Sequence, residues 1–151
     1  MQKLTIYLAG TMTGLDLDHV YHLFHDRAKR LTEAGFLVLH PMMGKDHLLG
    51  RGEVGSAPNE GPISNDQAII GRDRWMVRQA DIVLADLTQS RDRVSIGTAC
   101  EIVWAWDQRH TLVVVAGVDE GHSMDHPFIR QAANHSFETY EDAEDYLLCL
   151  L

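Results

Sequence analysis

The chain has 151 residues, 45% of them hydrophobic, which fits one compact domain with its own core and shows no obvious second domain. Its 13 basic residues face 22 acidic ones, and a net charge of -9 argues against a nucleic-acid-binding surface, because such surfaces are built on clustered Lys and Arg. A single phosphate held by backbone N–H groups and hydroxyls stays open.

Residues 4–9 are rich in β-branched and aromatic types and end at Gly10, which predicts a first strand. The loop Gly10-Thr11-Met12-Thr13-Gly14 follows; its N–H groups could cradle an anion or it could be a plain turn, and it is neither GxGxxG nor a P-loop. Residues 18–34 repeat Val20, Leu23, Phe24, Ala28 and Leu31 at three- and four-residue steps, a helix that Gly35 terminates. Residues 36–39 form a second strand ending at His40-Pro41, which completes a right-handed βαβ unit. Residues 42–64, rich in Gly and Pro and without periodicity, are expected to be an active-site flap leaving a strand end, with disorder as the alternative. Ser64 or Asn65 then caps a helix to about residue 80. Within it Asp73, taken alone, reads as a surface ion-pair partner of Arg72, Arg74 or Arg78.

The stretch 80–101 organises the rest. Ile82-Val83-Leu84-Ala85 has the continuous apolar character of a strand covered on both faces, and Asp86 closes it where a parallel sheet opens into its ligand crevice. Ser95 is a candidate cap for the next helix, residues 96–108, and Gly97 and Thr98 let backbone N–H groups approach a ligand. Glu101 is expected in the first turn, where the helix dipole favours the ionised form; it is either a nucleophile or a dipole-compensating surface glutamate. The stripe Ala99, Ile102, Val103 and Trp106 is expected to face the core, with Glu101 pointing away, and Trp104 outside the stripe hints at a subunit interface.

Residues 112–116 form the most apolar strand, and residues from Asp125 or Pro127 to 133 a short helix. A strand at 137–140 and a helix at 141–150 close the chain. Five strands alternating with five helical segments predict an α/β fold: a single domain with a doubly wound five-stranded parallel sheet, flavodoxin-like or Rossmann-like, with ligands at the strands' carboxyl ends. None of the nine histidines stands in a metal spacing, neither Cys100 nor Cys149 stands in a CxxC or nucleophile motif, and no GxSxG elbow occurs. No metal or organic cofactor is implied. No apolar run is long enough for a transmembrane helix and no signal-peptide pattern opens the chain, so the expected setting is the cytoplasm with reduced thiols and no membrane partner.

With these residues in view the chain resembles the nucleoside 2-deoxyribosyltransferase family, and more closely its branch of 2'-deoxynucleoside 5'-phosphate N-hydrolases. The resemblance runs nearly the full length. It is carried by Ile6-Tyr7-Leu8-Ala9-Gly10, by Asp73 ahead of Ala80-Asp81-Ile82-Val83, by Ser95-Ile96-Gly97-Thr98-Ala99-Cys100-Glu101, and by Phe128-Ile129-Arg130-Gln131-Ala132-Ala133. It implies that Glu101 attacks the anomeric carbon, that Asp73 helps protonate the departing base, and that Tyr7 orients Glu101. Cleavage of an N-glycosidic bond needs that division of labour, one ionised carboxylate against the sugar and one protonatable group near the base.

The transferases commonly carry an aspartate six residues before the glutamate, serving a free 5'-hydroxyl. Here Ser95 stands there, and a hydroxyl can donate to a 5'-phosphate that a carboxylate would repel. The hydrolases share this serine and a second one, matching Ser136, that comes from the neighbouring subunit. The resemblance therefore implies hydrolysis of a (deoxy)nucleoside 5'-monophosphate by a homo-oligomer, dimer or higher, with phosphate held by Ser95, Ser136 and amides of the 10–14 loop and Gly97. The alternatives are a base-exchanging deoxyribosyltransferase and a non-catalytic nucleotide sensor. The GTxxE at Gly97 to Glu101 also echoes cytokinin-type nucleotide phosphoribohydrolases, without their paired glycines. Residues 42–64 and Arg91-Asp92-Arg93 match no residue-level motif.

Overall fold

A computed structural model of the chain describes residues 2–54, 65–89 and 92–151. The elements run β1 (Thr5–Gly10), α1 (Leu17–Ala34), β2 (Leu37–Leu39), α2 (Asp66–Gln79), β3 (Ile82–Asp86), α3 (Ile96–Asp107), β4 (Leu112–Ala116), α4 (Pro127–Ala132), β5 (His135–Phe137) and α5 (Tyr140–Leu148), with a 3-10 turn at Asp46–Leu48. All strands pair in parallel in the order β2-β1-β3-β4-β5, the expected doubly wound sheet. β1 is followed by a step outward to β2 and β3 by a step the other way to β4. The crevice over the carboxyl ends of β1 and β3 is the topological switch point, where such sheets bind ligands. Among the described residues no helix is long and apolar enough to cross a membrane.

The strand alternation sorts side chains onto two faces. Ile6, Leu8, Ile82, Leu84 and Val114 join Val20, Phe24 and Leu31 of α1 and Ala143 and Leu147 of α5. Tyr7, Ala9, Val83, Ala85, Val113 and Val115 join Met76 and Val77 of α2, Ile102 and Ala105 of α3, and Ile129 and Ala132 of α4. Covering both faces explains the uninterrupted apolar runs of β3 and β4, each large aliphatic side chain contributing about 1.5–3 kcal/mol on burial. It also fixes the parity of β1: Tyr7 must send its phenol toward α2 and α3.

Caps account for most helix boundaries. Asp16 accepts from the His19 N–H at 2.9 Å and starts α1 one residue before the expected position. Asn65 accepts from the Ala68 N–H at 2.9 Å and starts α2, while Ser64 lies outside the described residues. The last strand is His135–Phe137, two residues earlier than expected, because the Thr139 hydroxyl caps α5 by accepting from the Asp142 N–H and Tyr140 turns into the core.

Two expectations are corrected here. The inner stripe of α3 is Thr98, Glu101, Ile102 and Ala105, whereas Val103 and Trp106 are exposed. The helix is apolar on most sides, so two phases were open and packing against β1 and α2 selected the one that buries Glu101. Trp104 is half-buried and packs against the second core cluster. Residues 42–54, expected to lack structure, are folded: Met42 and Leu48 enter the core, Glu53 bridges Asp16, and the Val54 N–H donates to the Leu15 carbonyl at 2.9 Å. Residues 55–64 of the expected flap lie outside the described residues.

Candidate active site

Tyr7, fully buried in the middle of β1, donates its hydroxyl to Glu101 Oε1 at 2.5 Å. Glu101 is the sixth residue of α3, so it lies in the second turn, one turn deeper than the sequence suggests. It is 6% exposed. There the dipole's favourable end is behind it and burial dominates: the carboxyl is pushed up from 4.5 to about 8 by burial first and by the nearby Asp73 second, against the Tyr7 hydrogen bond and the charge of Lys45. The expectation that the helix start holds Glu101 ionised is thereby overturned for the ligand-free protein. The same burial and carboxylates raise the Tyr7 hydroxyl, which keeps it a hydrogen-bond donor.

Asp73 is no surface ion-pair partner. It is 7% exposed on the inner face of α2, and its Oδ1 is buried without a hydrogen-bond partner. Burial pushes it up to about 6, opposed by the charges of Lys45 and Arg72. Both carboxyls are thus pushed toward their protonated forms, and the two titrate as a pair. Acid-assisted displacement requires one proton and one carboxylate of such a pair.

Of the two cations of this cluster, sequence reasoning placed Arg72 at the surface and missed Lys45. Arg72 donates Nη2 to the Met43 carbonyl while its Nη1 is buried without a partner. Lys45 is 6% exposed, and burial lowers it against the opposing pull of Asp73. Nothing local in Met42-Met43-Gly44-Lys45 marks that lysine as internal. Only the packing of the turn after β2 against α2 does.

The loop after β1 is more occupied than a bare N–H cradle. Thr11 is buried and its Oγ1 lacks a partner, Met12 packs against the first core cluster, and Thr13 is exposed. Gly14 takes φ +81°, and its N–H is spent on the Val54 carbonyl at 3.0 Å. A side chain there would meet the Arg93 guanidinium, since an ideal Cβ falls 1.9 Å from its Nη1. Gly10 is tight against β3, its would-be Cβ 3.2 Å from the Asp86 carbonyl.

On the other side of the crevice, Ser95 precedes α3 but its hydroxyl caps no backbone amide. It pairs instead with the Thr98 hydroxyl at 2.8 Å. Gly97 is exposed, and a Cβ there would meet no protein atom, so packing within the protein does not demand glycine. Asp86, expected to face the ligand, spends both oxygens inside the protein: Oδ2 on the buried Arg27, Oδ1 on the Thr88 N–H at 2.9 Å and hydroxyl at 2.6 Å. Arg27 itself lies 3.6 Å over the Tyr140 ring. Ser136 is exposed on β5, beside Val115 and Ile129. With strands about 4.8 Å apart, β5 stands roughly 14 Å from the β1 strand of Tyr7.

The family model of nucleoside 2-deoxyribosyltransferase covers residues 6–143. The chain belongs to this family. Among solved structures it is similar to a 2-deoxyribosyltransferase from Leishmania mexicana, with 18% identity, TM-score 0.62, and coverage of 96% of this chain and 97% of that one. It is also similar to a molybdenum cofactor binding protein from Rippkaea orientalis, with 16% identity, TM-score 0.56, and coverage of 99% and 98%. These likenesses are of fold. A sequence search of curated proteins found no match. Among the described residues no group of three His, Cys, Asp or Glu side chains could hold a metal ion.

Proposed function

We propose that this family member hydrolyses the N-glycosidic bond of a nucleoside 5'-monophosphate, a deoxynucleotide by resemblance, releasing free base and sugar phosphate. The observation that carries the reading is the buried Tyr7–Glu101 hydrogen bond beside Asp73. Glu101 attacks C1' as its bond to the base nitrogen breaks. The electron pair leaves with the base, and the pair's single proton passes to the base through Asp73. Water then attacks C1' of the glycosyl ester, gives its proton to the Asp73 carboxylate and restores free Glu101. Tyr7 holds the attacking carboxylate in line and stabilises its charge.

Support for a phosphorylated substrate comes from Ser95 at the place where the transferases carry an aspartate, from its contact with Thr98, and from the unpartnered Thr11 hydroxyl across the crevice. By the resemblance Ser136 would reach the phosphate from a second copy, which makes the reading that of a homo-oligomer. Exposed Trp75 and Trp106 on α2 and α3 are consistent with such a contact. The reaction belongs in the cytoplasm, with Cys100 and Cys149 as free thiols. Residues 42–64 would help to select the base.

The family model itself favours a second reading, base exchange by the same glycosyl intermediate. Chromatography of the protein with a panel of ribo- and deoxynucleoside 5'-monophosphates and nucleosides, with and without a second free base, tests both. Free base and sugar phosphate, unaffected by the added base, is the expected result. A new nucleoside formed only when the base is added assigns the transferase, and equal activity with phosphorylated and unphosphorylated substrates removes the phosphate site.

A further inference from the structure

Arg93 stands in the loop from β3 to α3, two residues before Ser95, in a stretch that matches no motif of the family. Its side chain crosses to the loop after β1: the place a Cβ would take on Gly14 lies 1.9 Å from Arg93 Nη1, 3.0 Å from Cζ and 3.6 Å from Nη2. Gly14, at φ +81°, therefore supplies both the turn and the space in which the guanidinium lies. That loop is held from behind. The Gly14 N–H donates to the Val54 carbonyl at 3.0 Å, the Val54 N–H to the Leu15 carbonyl at 2.9 Å and the Leu17 N–H to the Gly52 carbonyl at 2.8 Å, so the guanidinium rests on a fixed surface.

β1 and β3 are paired to their last residues, Gly10 opposite Asp86, and the loops that leave them are the two walls of the crevice. Arg93 spans these walls, and each wall carries hydroxyls near it in sequence. Thr11 is buried with Oγ1 unpartnered on one, and Ser95 meets the Thr98 hydroxyl at 2.8 Å on the other. Hydroxyls alone leave the charge of a phosphate uncompensated, and a chain of net charge -9 has no general surplus of cations to supply it. Arg27, below the end of β3, is spent on Asp86 and the Tyr140 ring. Arg93 is exposed, and a guanidinium carries five N–H donors in a planar fork, enough to hold a protein neighbour and phosphate oxygens together.

We propose that Arg93, laid across the crevice from the β3–α3 loop onto Gly14, is the cation that recognises the substrate's 5'-phosphate, beside the hydroxyls of Ser95 and Thr11. The assignment rests on the monophosphate reading above and names the residue that decides it. Arg93 binds the phosphate and takes no part in moving protons or breaking the glycosidic bond.

The test is calorimetric titration of wild type, Arg93→Met and Arg93→Lys with 2-deoxyribose 5-phosphate at low and at high salt, beside kcat/KM for a nucleoside 5'-monophosphate and its nucleoside. Arg93→Met is expected to weaken sugar-phosphate binding about 10- to 100-fold, the range for hydrogen bonds to a charged group, and to flatten its salt dependence. Arg93→Lys should keep the salt dependence and lose part of the affinity with the fork. The preference for monophosphate over nucleoside should fall with the affinity. Thermal melts verify folding, and should Arg93→Met not fold, Arg93→Gln is read in the same way. Unmoved affinity in a folded variant would make Arg93 a tie between two loops and overturn the assignment, as would a wild-type protein that binds no sugar phosphate. Sugar-phosphate binding that is lost in Arg93→Met, in a protein that cleaves no nucleotide, would keep the phosphate site and refute the glycosidic reading instead.

Discussion

Glu101→Gln tests the electrostatics of the site without a substrate. Glu101 carries a folded-state value of about 8 against 4.5 for the free side chain. A carboxyl raised in the folded state binds its proton more tightly there than in the unfolded chain. Its burial therefore costs no ionisation energy below about 4.5; the cost grows as pH rises through the interval and is constant above about 8. At 1.36 kcal/mol per pH unit the ceiling is on the order of 4–5 kcal/mol. Glutamine removes the ionisation and keeps an acceptor for the Tyr7 hydroxyl, but it leaves a buried NH2 group whose loss of partners costs about 1–3 kcal/mol at every pH. The net expectation is a variant equal to or slightly less stable than wild type at pH 5 and more stable by roughly 2 kcal/mol at pH 9. For a chain of this size that is about 4–8 °C in Tm. Thermal melts of both proteins across pH 5–9 read the difference directly, and a Tm difference that stays flat over that range would refute the raised Glu101.

Tyr7→Phe removes a hydrogen bond to a charged group, about 1.5–3 kcal/mol, so kcat/KM should fall roughly 10- to 100-fold and the acid limb of its pH profile should move up, since that bond lowers Glu101. Asp73→Asn should cost about 10²–10⁴ in kcat on ordinary substrates, and far less on a substrate whose purine is already cationic by N7-methylation and leaves without a proton; equal losses on both would contradict the acid role. Arg27→Met leaves Asp86 as an uncompensated buried charge and should destabilise by about 3–5 kcal/mol in urea denaturation. Gly14→Ala forces a Cβ into φ +81° and against Arg93, for a loss of about 1–2 kcal/mol in the same assay.

How legible the chain is depends on the range of the forces involved. Residues 112–116 read directly as β4, and the strand–helix alternation as the doubly wound sheet, because two-sided burial writes itself into runs of neighbouring residues. The α3 phase is misleading because Val103 and Trp106 satisfy the helical period as well as Ala105 does, and period alone cannot say which side faces the sheet. Asp86 sits at the strand end as expected but turns inward, because Arg27, which claims it, lies 59 residues away.

Periodicity and capping chemistry are enough to give the alternation of strands and helices and the caps at Asn65 and Gly35, while the family resemblance implies Tyr7, Asp73 and Glu101 as a set. Each of these is written in residues close together in the chain or in a fixed order along it. The charge state of the set is a property of the folded protein, because protonation depends on what surrounds a carboxyl in three dimensions. Burial reverses the helix-start argument for Glu101, Asp73 leaves the surface, and Lys45 arrives from a turn after β2, at a distance in sequence that no local pattern spans.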